Sequence, residues 1–95
     1  MAILRITRFT ADPAHAEEEV LAKRAELLAA TRKAHAGLTD ARLVKLEDGA
    51  WLDMWQWDSD EAFQQAVAWA HDQPLAAEAF ALVRDVTAEK GELVA

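Results

Sequence analysis

Residues 51–57 read WLDMWQW, and this heptapeptide limits the fold more than any other segment of the chain. In a β-strand, side chains alternate between two faces, so its three tryptophans share one side with Asp53, and Leu52, Met54 and Gln56 share the other. Both faces are mainly apolar, and apolar faces require cover. The sequence therefore predicts a strand that packs on both sides.

Asp53 is the one carboxylate among these indoles, which makes it the first candidate for chemistry. An ionised carboxylate is costly to bury without a partner. Three outcomes are open: an Arg or Lys pairs with it, burial raises its pKa, or the end of the strand is wet. Arg5 and Lys45 are the candidate cross-strand partners.

Composition limits the classes of protein to consider. The chain has 95 residues, which predicts a single domain over residues 1–95. Hydrophobic residues make up 53% of it, more than a small core needs, which favours a lined cavity or a dimer interface. The net charge is -7 and no stretch gathers Lys and Arg, so neither nucleic acid nor an anionic membrane is an expected partner. With no cysteine, no signal-peptide pattern and no long apolar stretch, we expect a cytoplasmic protein.

The first half of the chain predicts a strand, a helix and a second strand. Ile3–Thr10 alternates in the manner of a strand. Asp12 and Pro13 are typical of an N-cap and a first helical position, so a helix is expected from Pro13 to about Ala36. Gly37 is expected to end it in the left-handed conformation.

The second half completes the pattern. Strands are expected over Ala41–Glu47 and Ala50–Trp57, joined by a tight hairpin at Asp48-Gly49 that needs positive φ. Ser59 is the expected N-cap of the next helix, with a capping box of Asp58 and Glu61 as the alternative. Pro74 interrupts that helix and restarts it. The predicted continuation carries its apolar stripe on Leu75, Ala79, Phe80 and Val83, and a short last strand covers Glu92–Val94.

The resulting order, β-α-β-β-α-β, predicts an α+β, ferredoxin-like fold with a four-stranded antiparallel sheet and two helices on one face. Nothing remains to cover the other face, where Leu4, Ile6, Leu52 and Met54 would form an apolar patch. Such patches mark interfaces, so we expect a homodimer through the open sheet face. The alternative is a monomer whose patch is screened by long side chains, namely Arg8, Arg42 and Gln56.

The segments RFTADP and WQWDSDEAF, together with the acidic helix and the DG hairpin, resemble the antibiotic biosynthesis monooxygenase family. The pattern Trp57-x-Ser59-x-Glu61-Ala62-Phe63 resembles its junction between strand three and the following helix. The resemblance implies a dimeric α/β barrel over nearly the whole chain. It also implies one of several activities, because the family includes cofactor-independent oxygenases of anthrones and quinols as well as haem-degrading oxygenases, and the fold is shared with polyketide cyclases.

Family residues carry over only in part. The resemblance places Asp53, Trp57 and Phe63 where anthrone oxygenases have an Asn, a Trp and a Tyr, so only the Trp is kept. The haem degraders' Asn position matches Thr7, their Trp position falls near Ala66 with Trp69 one turn away, and the spacing of His71 does not match their His. Haem degradation is therefore not expected.

We expect a pocket between the tryptophan face of strand three and the helices, suited to a flat aromatic ligand. Oxygen attacks such a substrate without metal or flavin only after deprotonation, which requires a base, an anion donor and a dry cavity. Asp53 is the first candidate base, with burial expected to raise its pKa, and His71 is the second. Thr7 or Arg5 is the candidate donor. The expected catalytic residues are Asp53, Trp57 and His71, and the expected substrate-binding residues are Thr7, Phe9, Trp55, Phe63 and Trp69.

Purely structural interpretations of the same residues stay open. Trp55 and Trp57 are also typical of plain core, and His71 of a solvated helix end. His15, His35 and the run Glu17–Glu19 show no metal-ligand spacing, so no metal and no cofactor are expected. The hypothesis is a cofactor-independent monooxygenase acting on a polycyclic aromatic, anthrone or quinol. The alternatives are a non-catalytic dimer that binds a small aromatic molecule and a polyketide cyclase-like protein.

Overall fold

The computed structural model describes all of residues 1–95 and has an α+β fold in the order β-α-β-β-α-α-β. Its four strands form one antiparallel sheet in the spatial order β2-β3-β1-β4. The ferredoxin-like prediction is confirmed, with the second helix divided in two at Pro74. The elements are β1 (Ile3–Ala11), α1 (Glu17–Ala34), β2 (Leu38–Lys45), β3 (Trp51–Trp57), α2 (Asp60–His71), α3 (Pro74–Phe80) and β4 (Val83–Glu92).

The start of α1 differs from the prediction. Helix α1 begins at Glu17, and its N-cap is the extended residue Ala16, which makes no side-chain cap. The Asp12 carboxylate accepts a hydrogen bond from the Ala14 N–H at 3.0 Å, which makes a local turn instead of a helix cap. Assigning the N-cap to Asp12 was therefore wrong, because a carboxylate two residues before a backbone N–H also stabilises a turn.

Gly37 is not the left-handed residue that the sequence predicted. Helix α1 already ends at Ala34, and Gly49 is the one glycine with positive φ. A Cβ on Gly37 would lie 2.7 Å from the Ala62 Cβ and 3.0 Å from an Asp58 carboxylate oxygen. Glycine is needed here because the start of β2 passes directly against the start of α2.

The hairpin between β2 and β3 is confirmed, although the turn differs in type. Gly49 has φ of 89°, whereas Asp48 does not have positive φ. The Leu46 N–H donates to the Ala50 carbonyl at 2.7 Å, and the Gly49 N–H donates to the Leu46 carbonyl at 3.0 Å. This pattern is a turn followed by one left-handed residue, which needs positive φ only at the glycine. The Asp48 carboxylate then accepts from the Ala50 N–H at 2.9 Å.

Two strands lie elsewhere than predicted. Strand β2 runs from Leu38 to Lys45, three positions earlier at its start than expected. Strand β4 is a ten-residue strand, Val83–Glu92, rather than a short one at the C-terminus, so placing Val83 on a helix was wrong. All of β4 except Val83 is exposed. Polar residues replace the apolar alternation because β4 is an edge strand that pairs with β1 alone.

Helix α2 begins as predicted. The Ser59 hydroxyl accepts from the Ala62 N–H at 3.1 Å, which selects the serine cap over the capping box. Pro74 is at the first position of α3, and Asp72 and Gln73 separate it from α2. A proline has no N–H for the helix ladder, so the chain restarts there in a new direction.

The tryptophan face of β3 lies under the helices, as the alternation predicts. Two buried clusters cover the ends of the sheet on this side, the first around Trp57 and Phe63 and the second around Phe9 and Trp51. Between them lie the middles of β1 and β3, where Thr7 is paired with Asp53. The core is therefore divided, and the space between its two parts is where a pocket can form.

The opposite face of the sheet has no helix on it. None of the four apolar side chains expected there is buried, and Val44 on β2 is 40% exposed. They are Leu4, Ile6, Leu52 and Met54. None of the three helices combines the length and the hydropathy that a bilayer crossing requires.

Candidate functional site

A pocket of about 210 Å³ lies between the sheet and the three helices. Of its 17 lining residues, 13 are hydrophobic. Its four polar side chains are Thr7 on β1, Arg24 and Thr31 on α1, and Asp53 on β3. A mainly apolar pocket with few polar groups is typical of a small-molecule site. The predicted location, between the tryptophan face and the helices, is therefore confirmed.

Aromatic side chains make two of its walls. Trp55 and Trp57 on β3, Phe63 on α2 and Phe9 on β1 all line the pocket. The Trp57 and Phe63 rings meet edge to face, with their centroids 6.0 Å apart. The Trp57 residue is only 3% exposed, and its indole N–H has no hydrogen-bond partner in the protein. A buried donor without a partner carries a free-energy cost, so Trp57, which lines the pocket, keeps one unsatisfied N–H.

The Asp53 side chain lies on the face of the sheet that the helices cover, and its partner there is Arg24. Arg24 Nε donates to Asp53 Oδ2 at 2.9 Å, and Arg24 Nη2 donates to Asp53 Oδ1 at 2.9 Å. The Trp55 indole N–H donates to the same Oδ1 at 2.8 Å. Of the three outcomes left open by the sequence, pairing with an arginine is the one observed. The arginine is on helix α1, so the expected cross-strand partners, Arg5 and Lys45, were wrong.

The ion pair is mostly shielded from water. The Arg24 side chain is 19% exposed and that of Asp53 is 13% exposed. A bidentate arginine–carboxylate pair has the strongest geometry available to two such groups, and shielding strengthens it. The guanidinium therefore compensates the charge of the Asp53 carboxylate at the pocket wall.

Of the two expected anion donors, Thr7 and Arg5, Arg5 is directed at an aromatic ring. Its guanidinium carbon is 5.6 Å from the centroid of Phe63, and Lys90 Nζ is 5.2 Å from the same centroid. Lys90 also pairs with Asp60 at the start of α2. Arg5 is not among the lining residues, whereas Thr7 is, so Thr7 is the expected donor that reaches the pocket.

Two other predicted residues do not line the pocket. His71 is exposed at the end of α2, and Trp69 packs edge-on against His35 with ring centroids 5.1 Å apart. Helix α2 instead presents Ala66, Val67 and Ala70 to the pocket. Successive helical residues are rotated by about 100°, so the positions on either side of Ala70 face away. His71 and Trp69 therefore have no contact with the site that would support their expected roles.

Sequence reasoning missed Arg24. Its signal was present, because Val20, Arg24, Leu27 and Thr31 follow the spacing of one helix face, and all four line the pocket. A single cation on this helix face indicates a charge directed at the sheet, although the spacing does not identify its partner. The short helix α3 also contributes to the pocket, through Ala76, Ala79 and Phe80.

No group of three or more His, Cys, Asp or Glu side chains is close enough together to hold a metal ion. The His15 ring nitrogen contacts Glu19 alone, at 3.0 Å, one helical turn away. This arrangement is a local pair on the surface at the start of α1.

Several solved structures share this fold over nearly their whole length. SnoaB from Streptomyces nogalater, a cofactor-independent oxygenase, is 25% identical, with a TM-score of 0.75 over 99% of this chain and 92% of SnoaB. An antibiotic biosynthesis monooxygenase is 21% identical, with a TM-score of 0.75 over 98% of this chain and 99% of its own. Rv0793 from Mycobacterium tuberculosis is 20% identical, with a TM-score of 0.73 over 100% of this chain and 97% of its own.

No family model matches the sequence, and no curated protein matches it either. The similarity is thus one of three-dimensional structure, and it extends over nearly the whole chain. The predicted resemblance to the antibiotic biosynthesis monooxygenase family is confirmed.

Proposed function

We propose that this chain is a cofactor-independent monooxygenase that acts on a planar aromatic substrate with an acidic hydrogen, such as an anthrone or a quinol. The observation that carries the proposal is the pocket itself: aromatic walls surround one shielded ion pair and one unpartnered indole N–H. SnoaB, which shares the fold at 25% identity, is a cofactor-independent oxygenase. Aromatic walls favour a flat ligand by stacking.

The chemistry balances without an external reductant. The CH₂ group of an anthrone loses one proton, and the resulting carbanion transfers an electron to O₂. The two radicals combine into a hydroperoxide, which loses water and leaves a carbonyl. One oxygen atom enters the product, the other leaves as water, and the two hydrogens of the CH₂ group end in that water. The protein must bind the anion and exclude solvent.

Each polar group has a proposed role. Asp53 receives the substrate proton at the one lone-pair position that its three hydrogen bonds leave free, on Oδ2. The Trp57 indole N–H donates to the oxygen-derived anion. Thr7, opposite Asp53 in the sheet, orients a substrate oxygen. These assignments keep Asp53 and Trp57 as the catalytic pair and leave His71 out.

Oxygen uptake in the presence of an anthrone tests the proposal. The purified protein should consume O₂ and release the anthraquinone without added metal or flavin. Asp53→Asn should reduce turnover, and Trp69→Phe, outside the pocket, should not. If the Asn variant matched the unchanged protein, Asp53 would be excluded as the proton acceptor. If no anthrone or quinol increased oxygen uptake, the enzymatic proposal would be wrong.

One observation favours a second candidate, a binding module that uses the same pocket without turnover. Arg24 and Trp55 together occupy three of the lone-pair positions of Asp53, which limits it as a base. For this candidate, anthrones would quench tryptophan fluorescence with no oxygen uptake. Measuring both on one sample distinguishes the two functions.

We also propose that two copies pack through the open sheet face. Leu4, Ile6, Leu52 and Met54 share that face with no helix over them, and Val44 adds a 40% exposed apolar side chain. Contiguous apolar patches of this kind mark interfaces. Each pocket lies on the other side of the sheet, between the sheet and the helices.

A further inference from the structure

Arg24 has more donors than its partner uses. A guanidinium carries five N–H groups. Asp53 takes one from Nε and one from Nη2, and no other protein group accepts from Arg24. Three N–H groups, one on Nη2 and two on Nη1, are therefore left at the pocket wall, on a side chain that is only 19% exposed.

The remaining polar groups of the pocket are also weighted toward donors. The Trp57 indole N–H is buried without a partner. Thr31 is already satisfied, because its hydroxyl donates to the Leu27 carbonyl at 2.7 Å. Asp53 retains about one free lone-pair position out of roughly four. The Thr7 hydroxyl can donate or accept. The three free N–H groups of Arg24 are therefore the largest unsatisfied set, and a ligand that satisfies them must bring oxygen acceptors.

The position of the charges selects an anionic acceptor over a neutral one. An oxygen that accepts from the free N–H groups of Arg24 lies next to the cation, while the Asp53 carboxylate is bonded to the Nε edge of the same guanidinium. Coulomb energy falls with distance, so attraction by the nearer cation exceeds repulsion by the farther carboxylate. Apolar walls keep the local dielectric low and enlarge the difference.

We propose that Arg24 is the anion-binding residue of this pocket, and that its free N–H groups receive a phenolate or enolate oxygen of an aromatic ligand. Asp53 has a second role here besides accepting the proton, because its carboxylate fixes the orientation of the guanidinium. Trp55 is a positioning residue, since its indole N–H donates to that carboxylate. The inference rests on the proposed function in that it takes the pocket as the substrate site. It names the substrate class more narrowly, as aromatics with an acidic hydroxyl or an enolisable carbonyl.

Such a contact makes the ligand easier to ionise. An opposite charge within hydrogen-bond distance lowers the pKa of a bound acid by about 1–3 units. The substrate therefore loses its proton readily at neutral pH, and the pocket needs only a weak acceptor. This agrees with an Asp53 that is largely engaged by donors.

The test uses 4-nitro-1-naphthol, a flat phenol whose phenolate absorbs at longer wavelength than the neutral form. Bound to the unchanged protein, it should ionise at a pH at least about one unit below its value in water, a tenfold increase in acidity. Its pKa when bound to the double variant Arg24→Met/Asp53→Leu, which removes the pair without leaving an orphan charge, should equal or exceed the value in water. Arg32→Met, which removes an exposed charge from the last turn of the same helix, should behave as the unchanged protein.

Every result bears on the inference. A bound naphthol with an unshifted or raised pKa, or one that does not bind at millimolar concentration, would overturn it. If the double variant does not fold, Arg24→Lys replaces it, because a lysine keeps the charge and loses the fork, and an intermediate shift is expected. If the pKa of the bound naphthol falls as expected but no substrate increases oxygen uptake, the proposed enzymatic function is wrong and the anion site remains supported. If oxygen uptake is observed but the pKa of the bound naphthol is not lowered, the enzymatic function is supported and the anion site is wrong.

Discussion

Arg24 and Asp53, 29 positions apart, meet in a two-pronged ion pair in which both N–O distances are 2.9 Å. The pair connects the middle of helix α1 to the middle of strand β3, across the gap between the two parts of the core. The same contact therefore fixes the width of the pocket and supplies its charge. Structural and functional roles can be separated only by variants that treat the two partners differently.

Removing Arg24 alone should destabilise the protein strongly. Arg24→Met leaves a shielded carboxylate without its partner, which costs about 3–5 kcal/mol at a fully buried site, and we expect the lower end because the pocket is partly open. The double variant Arg24→Met/Asp53→Leu should recover most of that loss. Urea denaturation of the three proteins measures the free energies of unfolding. Equal losses in the single and double variants would mean that the carboxylate left without its partner carries no penalty.

The indole N–H of Trp57 gives a sharper test of chemistry. Trp57→Phe keeps an aromatic ring in the pocket and removes a donor that has no partner in the protein. The stability cost should come from the smaller ring alone, about 1–2 kcal/mol. Loss of one donor to a developing anion reduces turnover by about 10²–10³. Steady-state oxygen uptake well below the melting temperature gives the answer, with Trp69→Phe as the matched control outside the pocket. Turnover equal to that of the control would show that the N–H has no part in the reaction.

Gly37 should tolerate no side chain, whereas Gly91 should. A Cβ on Gly37 would lie 2.7 Å from the Ala62 Cβ, and one on Gly91 would meet nothing within 4 Å. Gly37→Ala should therefore cost about 1–3 kcal/mol through overpacking. Gly91→Ala should be neutral or slightly stabilising, because it restricts only the unfolded chain. Thermal unfolding of both variants measures the contrast, and similar melting temperatures would contradict the close approach of β2 and α2.

Local signals predicted part of this fold well. The DG hairpin, the Ser59 cap, the break at Pro74 and the alternation in β3 each depend on a few neighbouring residues, and all are observed. The predicted N-cap at Asp12 was wrong because an Asp can stabilise a turn as readily as a helix start. Strand β4 carried no apolar alternation, since an edge strand exposed to solvent needs none.

The sequence predicted the aromatic residues that line the pocket but not the cation that pairs with Asp53. Trp55, Trp57 and Phe63 follow from strand alternation and helix spacing, and they line the pocket as expected. Arg24 could not be chosen from the sequence as the partner of Asp53, because the packing angle of α1 on the sheet decides which cation reaches it. Long-range pairs of this kind depend on tertiary geometry that no local pattern encodes.

The open sheet face should control the oligomeric state. Ile6 and Met54 are paired neighbours in the sheet, so Ile6→Lys/Met54→Lys would place two cations in the middle of the proposed interface. Sedimentation at micromolar concentration should give a dimer for the unchanged protein and a monomer for the variant. Leu21→Lys, at an exposed position on α1, is the control and should remain dimeric. A monomeric mass for the unchanged protein would remove the dimer proposal.

Two surface aspartates should contribute to the acid sensitivity of the fold. The pKa of Asp48 lies below its usual value of 3.8, mainly because the carboxylate accepts from the Ala50 N–H, with Arg8 adding to the effect. The pKa of Asp12 is also lowered, by the Ala14 N–H first and then by Arg84.

A lowered folded-state pKa means that the folded protein binds fewer protons than the unfolded chain. The stabilisation is present above about pH 4 and is lost as the pH falls through the folded-state pKa values. Asp48→Asn keeps an acceptor for the Ala50 N–H and removes the titrating charge, so its urea midpoint should change less between pH 6 and pH 3 than that of the unchanged protein. Glu47→Gln, at the exposed neighbouring position, should leave the pH dependence nearly unaltered. If all three proteins lost stability in parallel, the Asp48 carboxylate would not contribute to acid unfolding.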